Sequence, residues 1–429
     1  MAGSVAFAAN WPDFRGPRHD GSVPDAAASF PLKWTGTESL AWKAPLHGSG
    51  HSTPVIWGDQ VWLTTATPDG RELSVMAFDL RDGSLLLDEV LFRVEAPSPL
   101  GNDVNTYASP SPVIKEGRVY LHFGSYGTAC YDTATRKVLW RRNDLPCEHF
   151  RGPGSSPFLF DDLLILTMDG IDFQYLAALD CRTGQTVWKR DRSTEWNDLD
   201  ESGKPVADGD YRKAYFTPIL LRFADGEQQL VSGGAKAVWA YDPATGAELW
   251  QVRYEGFSGA SRPVFGAGRV YVNSGYSRAV LYAIPLRGGE RGELTGSGVA
   301  WETDNRIPNR SSPVFVEGRI YCVNDGGIVS CIDPETGETV WYERLAGQFS
   351  ASPIVARGLI YFCSEQGKVF VIRPGDQLSL VAENELPEGG VFASPATDGE
   401  RLLIRAATHL YCIRGEEEAA AAQSVPGAP

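Results

Sequence analysis

The 429-residue chain lacks the short signatures of catalysis and of membrane insertion. It has seven cysteines but no adjacent pair, no C-x-x-C pair and no C-x-x-C-H haem site. It has no nucleophile elbow, phosphate-binding loop or metal-hydrolase helix motif. No apolar run approaches the roughly eighteen residues of a membrane-spanning helix. Catalysis therefore has no support from a contiguous motif, and no transmembrane segment is expected.

Long helical periodicity is also missing, whereas turn-forming residues are plentiful. The 46 glycines and 28 prolines interrupt short alternating segments, a pattern typical of short strands joined by turns. The net charge of −15 disfavours binding to nucleic acid and to anionic membrane surfaces. We therefore expect an all-β protein whose partner is another protein, a small molecule or a glycan.

The cysteine positions leave the disulfide state open. Cys130, Cys331 and Cys412 lie near the ends of similar segments in which other copies carry alanine, which indicates small buried residues. Cys322 and Cys331 flank one hairpin turn and could form a disulfide. A one-residue shift in strand register would instead separate their side chains.

A repeat with a period of about 47 residues runs along the chain. Its clearest copies read SPVIKEGRVYLHFGSYGTACYDTATRKVLW from Ser111 and SPVFVEGRIYCVNDGGIVSCIDPETGETVW from Ser312. A strand follows the proline, glycine turns separate the next two strands, and D-x-x-T-G leads to a fourth strand with tryptophan. The prolines that mark the eight copies are Pro54, Pro112, Pro157, Pro218, Pro263, Pro313, Pro353 and Pro395.

Eight four-stranded units predict an eight-bladed β-propeller of antiparallel blades over residues 40–414. The last copy, from Ser394, supplies only three strands, whereas LAWKAPL at 40–46 matches the fourth strand of other copies. We therefore predict that this N-terminal strand closes the ring. The repeated tryptophans are interpreted as packing between blades rather than as ligand contacts; they are Trp140, Trp188, Trp250, Trp301 and Trp341.

Residues 1–39 precede the closing strand and are predicted to form an arm. Its NWPDFRGPRHDG stretch fits no regular element, and Trp11, Phe14 and Trp34 are expected to pack near the seam as a latch. Residues 1–9 have the small-residue character of a signal-peptide remnant. Residues 415–429 are of low complexity and are expected to be disordered.

The pattern S-P-V-x-x-x-G-x-V-Y followed by x-D-x-x-T-G-x-x-x-W resembles the repeat of pyrroloquinoline-quinone (PQQ)-like propellers. The resemblance covers nearly the whole chain and includes two branches, the quinoprotein alcohol dehydrogenases and the BamB propellers of outer-membrane assembly. The opening WPDFRGP is similar to a third set, exported bacterial repeat proteins of mostly unassigned role. The resemblance implies a periplasmic or secreted protein, but one fold supports several functions.

The residues that such dehydrogenases use are not recognisable in this sequence. The resemblance implies a vicinal disulfide over the quinone, and calcium held by a carboxylate and an asparagine. The lipid anchor of BamB also has no counterpart, because the first cysteine is Cys130. We therefore predict a noncatalytic binding or scaffold propeller of the bacterial envelope, without a cofactor. The alternatives are a PQQ-dependent oxidoreductase with quinone in the central funnel, and a carbohydrate-active propeller.

The inter-blade loops are expected to share one face and to carry the binding site. Their net charge of +3 contrasts with −15 for the chain, and their arginine, histidine and aromatic residues favour an anionic or hydroxyl-rich ligand. Three arginines from different blades, at 151, 262 and 310, are expected to point toward the axis, partly paired with carboxylates. Alternatively, each arginine only holds its own loop. The candidates are His51, Tyr107, His149, Arg151, Arg212, Tyr215, Arg262, Arg310 and Phe349.

The insertion EWNDLDESGKPVADGDYRK contains an incomplete calcium-loop pattern. Asp198, Asp200 and Ser202 alternate before Gly203, as oxygen ligands do in such loops. Position twelve is Gly209 instead of glutamate, so the bidentate ligand is missing. A solvated acidic loop is the alternative interpretation.

Overall fold

Eight sheets, each with four principal antiparallel strands, form the protein. The structure, a computed structural model, describes residues 10–23, 26–34, 39–101, 103–276 and 278–415. The predicted eight-bladed propeller is confirmed, and no helix among these residues is long and apolar enough to cross a membrane. The predictions for residues 1–9 and for the tail after Gly415 lie outside the described residues.

Each blade runs outward from the axis, and its first strand begins directly after the proline of its repeat. Blade 1 comprises Val55–Trp57, Gln60–Ala66, Glu72–Asp79 and Leu85–Arg93. Blade 2 comprises Val113–Lys115, Arg118–His122, Thr128–Asp132 and Lys137–Arg142. Blade 3 comprises Phe158–Phe160, Leu163–Asp169, Gln174–Asp180 and Thr186–Asp191. Blade 4 comprises Ile219–Arg222, Gln228–Gly233, Ala237–Tyr241 and Glu248–Arg253.

The second half of the ring repeats this arrangement. Blade 5 comprises Val264–Gly266, Arg269–Asn273, Leu281–Pro285 and Trp301–Thr303. Blade 6 comprises Val314–Val316, Arg319–Val323, Ile328–Ile332 and Thr339–Arg344. Blade 7 comprises Ile354–Ala356, Leu359–Cys363, Lys368–Arg373 and Ser379–Glu385. Blade 8 comprises Ala396–Thr397, Leu402–Arg405, His409–Ile413 and the N-terminal Leu40–Pro45.

Three short elements lie outside the repeat. Gly292–Glu293 adds a parallel strand to the outer edge of blade 4. Ser22–Val23 adds one to the inner strand of blade 7. A pair of 3-10 turns spans Val206–Arg212 in the connection between blades 3 and 4.

Tryptophans of the fourth strands join neighbouring blades, which confirms their interpretation as packing residues. The Trp140 indole donates to the Cys181 carbonyl of the next blade at 3.0 Å, and Trp301 donates to Pro334 in the same way. Gly184, the glycine of the D-x-x-T-G turn in the next blade, packs against the indole of Trp140. A Cβ at Gly184 would lie 2.6 Å from that indole. Trp250 differs, because it donates to Gln229 within its own blade.

The ring is closed by the N-terminal strand, as predicted. Leu40–Pro45 pairs antiparallel with His409–Ile413, and Trp42 lies opposite Cys412. The Trp42 indole donates to the Leu80 carbonyl of blade 1 at 2.9 Å. The seam therefore has the same blade-to-blade contact as the junctions of Trp140 and Trp301.

The NWPDFRGPRHDG stretch enters the axial channel of the propeller. Trp11 forms a bridge with Ile56 of blade 1, and the Pro12 carbonyl accepts from the Ile114 N–H of blade 2. The Arg15 guanidinium donates to the Pro353 carbonyl of blade 7 at 2.5 Å. Because the first strands of the blades surround the central channel, these contacts show that the segment plugs it.

The expected aromatic latch is confirmed for two of its three members. Trp11 and Trp34 are buried in the hydrophobic cluster shared by blades 7, 8 and 1. The Trp34 N–H donates to the Asn384 side chain of blade 7 at 2.8 Å. Phe14 does not join this cluster; it lines the cavity described below, because the chain turns there inside the channel.

The possible disulfide between Cys322 and Cys331 does not form. Cys322 lies opposite Ser330, and Cys331 lies opposite Tyr321. This one-residue offset sends the two side chains to opposite faces of blade 6. All seven cysteines are buried free thiols.

Candidate functional site

A cavity of about 540 Å³ opens between the inter-blade loops at one end of the axis. Phe14 of the plug also lines the cavity, and the other lining residues come from all eight connections between blades and from turns within blades 5 and 6. The cavity size lies within the range of small-molecule sites. Its charged lining residues are Arg151, Asp210, Lys213, Arg310 and Asp325.

Four of the nine predicted binding residues meet in this cavity. They are His51, Arg151, Tyr215 and Arg310, and they come from loops on different sides of the ring. Burial raises the pKa of the Tyr215 hydroxyl, so this group is a neutral hydrogen-bonding partner near neutral pH.

The two arginines of the cavity have only distant carboxylate partners. Arg151 Nε lies 3.9 Å from Asp210 Oδ1. Arg310 Nε lies 3.4 Å from Asp325, and its Nη1 lies 3.6 Å from Glu365. Charge-assisted hydrogen bonds are usually near 2.7–2.9 Å, so both guanidinium groups keep donor capacity for a ligand.

Arg151 is presented by an unusual turn of the chain. Phe150 and Arg151 have positive φ angles of 32° and 84°, followed by Gly152 at 84°. The Asn105 amide donates to the carbonyls of Arg151, Gly152 and Pro153 and so fixes the turn. Non-glycine residues in this region are strained, and such strain concentrates at functional sites.

Lys213 supplies a third cation from the insertion between blades 3 and 4. Its ammonium group is buried and contacts Asp210. Burial and the charge of Arg151 lower the pKa of Lys213 to about 7. We expect the ion pair to keep the amine charged while Asp210 stays ionised.

His51 is a neutral aromatic wall of the cavity. Its ring stacks on Phe392 with 4.6 Å between centroids and 18° between planes. Burial and the nearby Arg405 and Arg310 charges lower the pKa of His51 to about 3. The ring therefore contributes stacking and hydrogen bonding at neutral pH instead of positive charge.

Four other predicted binding residues support loops away from the cavity. Tyr107 donates to the Ser98 carbonyl at 2.8 Å, and Phe349 is fully buried against Phe370. His149 Nε2 accepts from the Ser125 N–H at 3.1 Å, and burial lowers its pKa to about 4. Arg212 forms a two-pronged ion pair with Asp198. These four side chains therefore hold loops in place, in agreement with the alternative interpretation of the candidate residues.

Arg262 lies below the cavity and binds the plug. Its Nη1 donates to Asp13 at 3.0 Å, and its Nε donates to the Pro218 carbonyl at 3.0 Å. Burial alone would raise the pKa of Asp13, but the charges of Arg262 and His19 outweigh it and hold the pKa well below its usual range. Arg262 therefore points toward the axis and is the paired member of the three arginines, whereas only Arg151 and Arg310 line the cavity.

The residues of the calcium-loop pattern are engaged within the protein. Asp198 binds Arg212, and Asp200 accepts from the Ser202 hydroxyl at 2.7 Å and the Lys204 N–H at 3.0 Å. Within the described ranges, no group of three His, Cys, Asp or Glu side chains is arranged to hold a metal ion. These contacts match those of a solvated acidic turn.

Several residues that line the cavity were not among the predicted binding residues, although the positions of some of them in the repeat indicate the correct face. Tyr276 lies in a turn between the second and third strands of blade 5, and such turns share the face of the inter-blade loops. Lys213 and Asp210 stand in the DYRKAYFT loop, where only Arg212 and Tyr215 were selected. The missed side chains at the cavity are Phe14, Asn105, Asp210, Lys213, Phe257, Tyr276, Asn309, Asp325 and Phe392.

A family model described as outer membrane protein assembly factor BamB matches residues 87–217 and 292–379, which is about half of the chain. The chain belongs to the BamB family. It is 23% identical over 208 residues to BamB of Yersinia pestis, an alignment that covers 45% of this chain and 47% of that protein. The chain thus spans about half the length of this curated BamB relative.

Solved structures related to the BamB-family chain share its fold. BamB from Moraxella catarrhalis matches with a TM-score of 0.50 and 18% identity, over 76% of this chain and 82% of that one. A europium-containing methanol dehydrogenase matches with a TM-score of 0.66 and 13% identity, over 98% and 92%. A quinohemoprotein alcohol dehydrogenase from Comamonas testosteroni gives 0.64 and 13%, over 96% and 81%. At these identities the likeness concerns the fold alone.

The cavity of this BamB-family chain does not fit the quinone and calcium that the dehydrogenase resemblance implies. Both oxygens of Asp325 already accept hydrogen bonds, from the Asn309 N–H at 3.1 Å and the Asn309 amide at 3.0 Å. Asp210 contacts Lys213. Calcium requires six or more oxygen ligands, whereas the two carboxylates here are held by protein donors. All the cysteines are free, so there is no vicinal disulfide.

Proposed function

We propose that this chain is a noncatalytic binding propeller of the bacterial envelope, a scaffold that binds a partner protein on its inter-blade face. Membership of the BamB family supports a role in outer-membrane protein assembly, in the periplasm. The observation that carries the proposal is an apolar rim on the inter-blade face. It consists of the partly buried Phe257 and five exposed residues, namely Val104, Leu199, Val206, Tyr211 and Tyr276.

The rim contains a continuous row of aromatic rings. Tyr211 packs edge-on against Phe257 at 4.7 Å, and Phe257 contacts Tyr276 at 6.2 Å between centroids. Tyr276 is 58% exposed and Tyr211 is 39% exposed. Exposed aromatic clusters are typical of the energetic centres of protein interfaces.

Exposed aliphatic side chains lie in the inter-blade connections of the same face. Leu199 is 62% exposed, Val104 is 50% exposed and Val206 is 42% exposed. Leu199 and Val206 belong to the insertion between blades 3 and 4, where the chain bridges Leu199 with Pro205. The insertion therefore presents apolar side chains on the open face, which supports docking of a folded partner.

The polar groups of the cavity are arranged for binding more than for proton transfer. Asp210 and Asp325 each contact a cation, and His51 is neutral and stacked on Phe392. A general base needs a pKa near the operating pH and free access to a substrate proton. Lys213 has a pKa near 7, but its amine is held in contact with Asp210. These contacts favour a noncatalytic role over the oxidoreductase and carbohydrate-active alternatives.

The test is site-specific photo-crosslinking in the bacterium that produces the protein. A photoreactive residue at Val206 on the rim is compared with one at Val187, which is 54% exposed on the outer strand of blade 3. We expect Val206 alone to crosslink an outer-membrane assembly component, and Leu199→Asp to weaken that crosslink and to lower outer-membrane protein levels. Equal crosslinking from both valines, or unchanged levels, would contradict the proposal.

A further inference from the structure

A belt of hydroxyl groups surrounds the axis at the cavity. The residue before the proline of each repeat is serine or threonine in seven blades. In six of them, all except Thr53, the hydroxyl accepts the N–H of the equivalent residue in the preceding blade. The Thr53 N–H donates to Ser111 at 2.9 Å, the Ser111 N–H to Ser156 at 2.9 Å, and the Ser156 N–H to Thr217 at 3.0 Å. Arg262 takes this position in blade 5 and continues the belt by donating to Ser312 at 2.9 Å.

Hydroxyl groups of the belt have unused hydrogen-bond donors at the cavity. Five of its members line the cavity, namely Ser111, Ser156, Thr217, Ser352 and Ser394. A hydroxyl has one donor and two acceptor positions. Each of the five accepts a backbone N–H, and none donates to a described residue. The belt therefore offers an arc of donors to whatever occupies the cavity.

Cations complete a lining that is rich in donors. Arg151, Lys213 and Arg310 come from three different connections between blades. Arg192, which is buried outside the cavity, has a close carboxylate partner: it donates two hydrogen bonds to Asp169, of 3.1 and 2.8 Å. The carboxylates near Arg151 and Arg310 lie at 3.4–3.9 Å, which leaves both guanidinium groups under-coordinated.

We propose that the cavity binds a small organic acid with at least two carboxylates, held by Arg151 and Arg310 and by the hydroxyl arc. Guanidinium groups form forked hydrogen bonds with carboxylates, and hydroxyl donors satisfy the remaining oxygen lone pairs. Separate arginines on different sides of the cavity require separated acidic groups. Phe14 and the stacked His51–Phe392 pair provide apolar surface for the carbon skeleton between them.

This site can be tested separately from the partner-binding rim, although Val104, Phe257 and Tyr276 of the rim also line the cavity. The rim proposal rests on exposed aromatic and aliphatic side chains, whereas the acid-site proposal rests on cations and hydroxyl groups. The crosslink at Val206 does not require Arg151 or Arg310. Failure of either proposal therefore leaves the other standing.

The test is calorimetric titration with succinate and citrate, with succinamide as the neutral analogue and inorganic phosphate as a second anion, at constant ionic strength. We expect the carboxylates to bind and succinamide to show no binding. Arg151→Gln and Arg310→Gln should each weaken binding at least tenfold. Arg212→Gln is the matched control, since Arg212 lies on the same face, paired with Asp198 and outside the cavity.

The outcomes separate specific recognition from general attraction of anions. Unchanged binding in the Arg151 and Arg310 variants, or equal loss in Arg212→Gln, would overturn the proposal. Tighter binding of phosphate than of citrate would overturn the assignment to carboxylates. Thermal unfolding of each variant without ligand checks the fold; if Arg310→Gln is destabilised, Arg310→Lys provides a second variant, in which a point charge replaces the fork.

Discussion

Arg262 shows how one departure from a repeat acquires a separate role. In seven blades the equivalent residue is serine or threonine of the hydroxyl belt, whereas Arg262 extends into the channel and binds Asp13. Side-chain exposure is 1% for Arg262 and 3% for Asp13. The N-terminal segment is thus held in the channel by a buried ion pair that only this blade supplies.

Replacing Arg262 by serine should destabilise the protein by up to about 3–5 kcal/mol, because it removes the buried guanidinium partner of Asp13 and leaves that carboxylate with His19. Asp13→Asn should be destabilising for the converse reason. The double variant should lose less stability than the sum of the two, because neither charge then remains unpaired. Urea unfolding of the four proteins measures this coupling.

The control for this cycle is Arg319→Ser. Arg319 is partly exposed and lies 3.4 Å from Asp333 and from Asp376, so its loss should change the free energy of unfolding by at most about 1 kcal/mol. Additive effects of the Arg262 and Asp13 substitutions would show that the plug is not held by this pair.

Individual site residues could be predicted from the sequence only as members of a loop. His149 and Arg151 are two positions apart, yet His149 is buried against Ser125 while Arg151 lines the cavity. Loop composition indicated a cationic face, but the direction of a side chain depends on backbone angles such as the positive φ of Arg151. Arg262 carried a readable signal, because it alone breaks the serine or threonine pattern before proline.

At the scale of the element, the D-x-x-T-G turn and the tryptophan of the repeat form one contact between neighbouring blades. In blade 3, the carboxylate of Asp180 accepts from the N–H and the hydroxyl of Thr183, which shapes the turn. Gly184 then lies on the Trp140 ring of blade 2. The spacing of aspartate, glycine and tryptophan is therefore set by packing between blades.

Gly184→Ala should be more destabilising than Gly318→Ala, although both glycines have nearly the same backbone angle. Their φ values are 73° and 72°, so alanine bears a similar left-handed penalty of about 1–2 kcal/mol at each site. A Cβ at Gly184 would lie 2.6 Å from Trp140, whereas at Gly318 it would meet nothing within 4 Å. Overpacking should add about 1–3 kcal/mol for Gly184→Ala alone. Equal unfolding midpoints for the two variants would exclude this account.

Elements that belong to the repeat could be predicted, and those outside it could not. The prolines located the first strand of every blade, since a proline suits the start of a strand. The plug and the added strand Gly292–Glu293 have no second copy in the chain with which to compare them. The position of the plug follows from contacts with six blades that are far apart in sequence, and no local pattern encodes such contacts.

At the scale of the whole molecule, the N-terminal region performs two separable tasks. Residues 10–23 fill the channel and contribute Phe14 to the cavity, while Leu40–Pro45 completes blade 8. The ring therefore depends on the second segment for closure, and the cavity depends on the first for its axial wall. The BamB relatives and the dehydrogenases share the ring, so differences in function must arise from the loops and the plug.

Two truncations separate these tasks. Removal of residues 1–38 should leave a closed ring with an unpaired Arg262, so the protein should keep the oligomeric state of the full chain and unfold cooperatively at a lower denaturant concentration. Removal of residues 1–46 also exposes the edge of His409–Ile413 and the cluster around Trp42. An open edge invites pairing between chains, so this variant should aggregate. Truncation after Gly415 removes neither segment and serves as the control. Size-exclusion chromatography and urea unfolding distinguish the three proteins, and equal tolerance of the two N-terminal truncations would show that the seam strand is dispensable for closure.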